Sequence, residues 1–171
     1  MLLIFCPAPA LAQTASETVA YIQGKVSGQN ASFSAYELKI DGVELDGSVF
    51  VWKYTVTNDT NIGRWSDYFR EDIDLTQVQD FTTKSADAWL KNDGVTGLQC
   101  DRSFGNCVKK QMCMTISQGK CSESRTDRAS ILYLKLSVLG NPEEEKRVKK
   151  AIIYLKGLFP LKKNIELFDN R

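Results

Sequence analysis

The sequence contains no histidine, and that absence removes a large share of enzymology. Ser-His-Asp and Cys-His nucleophile systems, imidazole acid–base steps and histidine-ligated metals are all excluded. Proline is scarce, with 4 residues in 171, so the chain is not a stiff Pro-rich linker. Cys-x-x-Cys and Gly-x-Ser-x-Gly do not occur, which removes thioredoxin-type redox chemistry and the nucleophile elbow. No apolar run reaches the roughly 20 residues a membrane-crossing helix needs, and no transmembrane segment is predicted. What remains is a globular composition, 43% hydrophobic and 25% charged, of a length that suits one domain with a continuous core.

Charge is unevenly spread. Residues 1–100 carry 13 acids and 7 bases, residues 101–171 carry 8 acids and 15 bases, and the two halves nearly cancel at +1. Such a split reads either as a basic end that meets an anionic partner or as two halves that offset each other's field. The second reading is the default for solvated helix faces.

The opening Met1–Ala12 is uncharged and apolar, and it ends in the small-x-small triplet Ala10-Leu11-Ala12 before Gln13. That pattern predicts an export signal cleaved after Ala12 and a periplasmic or secreted product, although the usual positive n-region is missing. Pro7 and Pro9 argue against a structural strand here. Cys6 leaves with the signal. Cys100, Cys107, Cys113 and Cys121 remain, within 22 positions. Four cysteines in an exported chain read as a disulfide framework with three connectivities open. Pairing Thr96–Cys100 with Cys107–Ile116 as a hairpin would set Cys100 opposite Cys107, at the ~5.5 Å Cα separation a disulfide needs, and leave Cys113 to bridge Cys121. Zinc and redox alternatives fit the spacings poorly.

The remaining chain, 13–171, reads as one α+β domain with a polar tail from about residue 160. Thr14-Ala-Ser-Glu17 is a capping box ahead of Val19, Ile22 and Val26, with Gly28 to stop a short helix. From residue 32 the period becomes two. Tyr36, Leu38 and Ile40 alternate with polar residues before a turn expected at Asp41-Gly42. Ser48–Thr57 is the strongest strand, with Phe50, Trp52 and Tyr54 on one face. Further strands are expected near Arg64–Leu75, Val78–Thr83, Ala88–Leu90 and Ser130–Val138, with Lys120–Asp127 as a polar loop. The last element starts at Asn141-Pro142-Glu-Glu-Glu145, an N-cap, a proline at the first helical position and three acids against the helix dipole. Val148, Ala151, Ile152, Leu155 and Phe159 form its apolar stripe, and Glu143–Arg147 and Glu145–Lys149 are spaced as ion pairs.

These elements add up to a short helix, about seven antiparallel strands in a bent sheet or partly open barrel, and a closing amphipathic helix. That order resembles the pleckstrin-homology-like superfold over residues 32–159, including uncharacterised exported bacterial proteins that share it; a small lipocalin-like barrel is the competing architecture. The resemblance implies a binding module. In place of the basic first hairpin of the lipid-binding members stands Asp41-Gly-Val-Glu44-Leu-Asp46-Gly47, and the closing helix has no tryptophan, so phosphoinositide recognition is disfavoured.

Three constellations could carry chemistry. Asp72 and Asp74 would share one strand face about 7 Å apart, either as an acid–base or cation pair or as charge on a solvated edge strand; the second is preferred, and no metal or cofactor is predicted. Trp65, Tyr68 and Phe69 are candidates for an exposed binding patch. Lys146, Lys149 and Lys150 belong to a basic terminal segment that suits an acidic protein partner or an anionic envelope surface, or is simply the solvated face of a helix. Nucleic acid is not expected, because no basic strand interleaves with stacking aromatics. The leading expectation is an exported, non-enzymatic interaction domain. The alternatives are a carrier of a small apolar ligand and a carboxylate-based hydrolase.

Overall fold

The structure is a computed structural model that describes residues 13–33, 36–60, 63–85, 94–115 and 121–162. Helix α1 covers Ala15–Val26, followed by strands β1 (Asn30–Phe33), β2 (Tyr36–Asp46), β3 (Val49–Thr60), β4 (Gly63–Asp74), β5 (Val78–Ser85), β6 (Gly94–Cys100), β7 (Val108–Thr115), β8 (Cys121–Ala129) and β9 (Ile131–Leu134). Helix α2 covers Pro142–Gly157. The α+β class is as expected from the sequence, with strands running antiparallel in a six-stranded sheet, β1-β2-β3-β4-β7-β8, and a three-stranded sheet, β5-β6-β9. The sheets do not close into a barrel.

The two sheets are joined in a particular way. The neighbours β4, β7 and β8 of the first sheet are connected along the chain to β5, β6 and β9, which are neighbours in the second. Three adjacent strands thus switch sheets along one line, the device by which bent sheets turn a corner. On one side of the line pair Ile73, Val108 and Ala129; on the other pair Val78 and Cys100. Ile73, Leu75, Val78, Val108 and Cys100 are all buried, so the inside of the corner is apolar. Backbone bonds tie neighbouring crossings together along this line, from the Asp101 amide to the Gln77 carbonyl (2.8 Å) and from the Cys100 amide to the Ser130 carbonyl (2.9 Å).

The core fills the angle between the sheets and the helices. Phe50, Trp52 and Tyr54 of β3 are buried, as their alternation predicts, with Leu98, Leu132 and Leu134 from the second sheet and Val148, Ile152 and Leu155 from α2. The capping box at Thr14 and Glu17 is present, and Gly28 leaves α1 at φ +77°. Asn141 caps α2 by accepting from the Glu143 and Glu144 amides. Arg147 pairs with Glu144 (2.8 Å) in place of the expected Glu143, and Glu144 also receives Lys25 of α1 (2.9 Å).

Several expectations are corrected. Asp41-Gly42 is no turn: β2 runs through it with a bulge between Ile40 and Gly42, and the chain reverses at Gly47, φ +59°. The bulge is where Gln23 of α1 docks, its Oε1 accepting from the Val43 amide, and a Cβ at Gly42 would stand 3.1 Å from that side chain. The expected loop Lys120–Asp127 falls largely within β8, an edge strand in which Ser124–Arg128 are exposed on both faces and no alternation is required. Ser130–Val138 is not one strand: β9 ends at Leu134, and Leu136–Leu139 is a 3-10 turn. The strand expected near Ala88–Leu90 lies outside the described residues.

At Gly97 of β6, an added Cβ would stand 2.7 Å from the Leu132 carbonyl oxygen of β9, a backbone atom that cannot swing aside. Gly97→Ala is therefore expected to cost about 1–3 kcal/mol through overpacking, read as a lowered urea midpoint and lost amide protection along Ile131–Leu134.

Candidate functional site

One bond of the expected disulfide framework is present, with a different role from the one its spacing suggested. Cys100 and Cys107 are bonded, with Cα atoms 5.7 Å apart. They do not face each other across a hairpin, because β6 and β7 lie in different sheets. The bond closes the middle of the three corner crossings, which runs through the 3-10 turn Arg102–Phe104. Cys113 on β7 is also disulfide-bonded; the side chain of Cys121 lies outside those described.

The two singled-out carboxylates are structural. Their strand is an interior one, flanked by β3 and β7, so the edge-strand reading is overturned. Asp72 holds the Arg70 Nε at 2.7 Å. Asp74 caps the 3-10 turn Leu75–Gln77 at the first corner crossing. It accepts from the Thr76 amide (3.0 Å), the Thr76 hydroxyl (2.7 Å), the Ser48 hydroxyl (2.8 Å) and Lys162 Nζ (3.3 Å). Burial alone would raise its pKa, yet the bonds from Thr76, Ser48 and Lys162 outweigh it and hold the carboxyl below the usual range. A depressed folded pKa contributes stability above the unfolded value of 3.8 and loses it as pH falls further. Asp74→Asn is expected to cost about 1–2 kcal/mol at neutral pH and to flatten the acid limb of a stability–pH curve.

A charged group that the sequence did not announce lies on the inner face of β4. Glu71 is 4% exposed. It accepts from the Tyr54 hydroxyl at 2.7 Å and pairs with Lys110 Nζ of β7 at 3.3 Å. The Tyr54 ring stacks on Phe69 with centroids 4.8 Å apart, while Lys110 lies 5.0 Å from the Phe69 centroid and Lys135 lies 3.9 Å from that of Tyr54. Desolvation, then the Glu71 charge and hydrogen bond, push the Tyr54 phenol far above its ordinary value, so it remains a donor. Removal from water drives Lys135 down to about 8, with Glu71 restoring part of the loss and Lys110 adding to it. The signal was available: strict alternation in Phe69-Arg70-Glu71-Asp72-Ile73 places Glu71 between two apolar residues on the core face. Chemically the group amounts to a committed tyrosine donor and a lysine amine covered by an aromatic face. Among the described residues no three His, Cys, Asp or Glu side chains gather as a metal site.

The candidate patch residues do not form one surface. Trp65 (44% exposed) and Phe69 have the same parity on β4, and Tyr68 (45% exposed) has the other, so Tyr68 faces away from them. Phe69 is occupied by Tyr54 and Lys110. Lys149 lies 5.1 Å from the Phe81 centroid of β5, while Lys146 and Lys150 are exposed on α2, which packs on α1 and on the turn Leu136–Leu139. No described helix is long and apolar enough to cross a membrane. No family model, curated protein or solved structure matches the chain.

Proposed function

We propose that the chain is an exported, non-enzymatic recognition domain that works at the cell envelope by binding. The observation that carries this reading is the Cys100–Cys107 bond, built into the buried corner between the sheets. A crosslink placed where the fold turns belongs to an oxidising compartment. The carboxylates that a hydrolase reading would need, Asp72 and Asp74, are engaged with Arg70, Thr76, Ser48 and Lys162. The element order that resembles the pleckstrin-homology-like superfold also favours a binding module over an enzyme. Mass analysis of the protein from its native cells is expected to find an amino terminus at Gln13 and no free thiol. An intact Met1 with free thiols would overturn the reading.

One observation favours the carrier as a second reading: the Trp52 indole nitrogen is buried with no acceptor among the described residues, an arrangement that costs about 1–3 kcal/mol unless something satisfies it. Against it, Phe69 and Lys135 cover the Tyr54 ring next along the same face of β3. Native mass spectrometry after gentle purification decides, by the presence or absence of a co-purifying small molecule.

A further inference from the structure

Helix α2 buries one stripe and leaves a second, differently composed face in water. Val148, Ile152 and Leu155 are buried, and the opposite side carries Lys146, Arg147, Lys150, Ile153, Tyr154 and Leu158, all exposed. Composition changes along this outer face. Its first half is basic, with Glu143 the acid exposed on the same side, and its second half is apolar. Ile153 is 45% exposed, Leu158 40% and Leu161, just beyond the helix, 39%. A polar outer face is the norm for a helix with one buried stripe, and large apolar side chains beside lysines are the departure to be explained.

We infer that this outer face of α2 docks flat on an anionic lipid bilayer, the lysines against headgroups and Ile153 and Leu158 inserted at the headgroup–acyl boundary. This rests on the proposed envelope role and gives it a partner. Charge complementarity selects the occupant. A basic half and an apolar half on one helix face match a surface that is negative outside and apolar a few ångströms deeper. A second copy of α2 offers Lys146, Arg147 and Lys150 little of the opposite sign, since Glu143 is the acid exposed on this side.

The test is co-sedimentation of the purified protein with vesicles of phosphatidylcholine alone or with one third phosphatidylglycerol. Binding to the anionic vesicles is expected to exceed that to neutral ones at least tenfold and to collapse at high salt, where screening is short-ranged. Ile153→Glu with Leu158→Glu should lower anionic-vesicle binding about tenfold, as should Lys146→Glu with Lys150→Glu, with thermal melts unchanged because none of these side chains is buried. Equal binding to both vesicles, no binding, or full binding by both variants would overturn the inference. So would a dimer in sedimentation velocity that Ile153→Glu dissociates, or capture of an acidic envelope protein that the variants abolish while vesicles are ignored; that last outcome would leave the envelope role standing.

Discussion

Replacing Glu71 with leucine is expected to cost about 3–5 kcal/mol of folding stability at neutral pH, because it removes one partner of a buried charged group and strands the others. The Tyr54 hydroxyl loses its acceptor and Lys110 its counter-ion. Lys135, already disfavoured by desolvation, loses the one charge that raises its pKa. Glu71→Gln keeps an oxygen for Tyr54 and should fall between the leucine variant and the wild type. The double variant Glu71→Leu with Lys135→Met should recover part of the loss, since it replaces the group with apolar surface instead of leaving half of it. A double-mutant cycle read by urea unfolding measures that coupling. Strict additivity would mean that Lys135 and Glu71 act independently.

The same residues set a pH signature. Folded Lys135 titrates near 8 and the unfolded side chain near 10.5. Between those values the unfolded chain holds more protons, so stability climbs with rising pH across that window, and below it the full cost of burying the ammonium applies. Lys135→Met should remove the climb and gain on the order of 2 kcal/mol at neutral pH. In the Glu71→Leu protein the climb should begin at lower pH. A parallel set of urea midpoints for wild type and variants across the window reads the difference directly.

Parts of this molecule announce themselves because one physical requirement dominates locally. The start of α2 is legible from Asn141-Pro142-Glu143, since orphan amides and the dipole there accept few solutions. Strand β3 is legible because one face is core and the other is not, and Phe50, Trp52 and Tyr54 must alternate. Strand β8 is invisible for the opposite reason. Ser124–Arg128 are held by backbone pairing with β7 and meet water on both faces, so nothing in composition separates them from a loop. The run Ser130–Val138 misleads because Leu136 and Val138 in a 3-10 turn keep the two-residue spacing of Leu132 and Leu134 in β9. Of the candidate site residues, the cysteines were legible as a pair and not as a corner. Asp72 stands out by the density of charge around it, whereas Glu71, one residue earlier, is marked by strand parity, which is the sharper guide to burial.

Replacing Cys100 and Cys107 together by alanine is expected to cost about 2–3 kcal/mol, the chain-entropy value for so short a closed loop. The bonded residues are separated by 7 positions. The three crossings of the corner are secured differently, and that decides where the loss appears. Asp74 and its hydroxyl and lysine partners pin the crossing from β4 to β5, and a single residue, Ser130, makes the one from β8 to β9. The crossing from β6 to β7 runs through residues 101–107, whose Arg102, Ser103, Gly105 and Asn106 are exposed, and has the disulfide as its covalent tie. Loss of amide protection should therefore concentrate at Cys100 and Asp101, whose amides bond Ser130 and Gln77 of the neighbouring crossings, while β2 and β3 keep theirs until global unfolding. Hydrogen exchange on the double variant checks this residue by residue. Uniform loss across both sheets would mean that the bond acts on the unfolded chain alone, whereas loss confined to the corner would mean that it also holds the second sheet against the first.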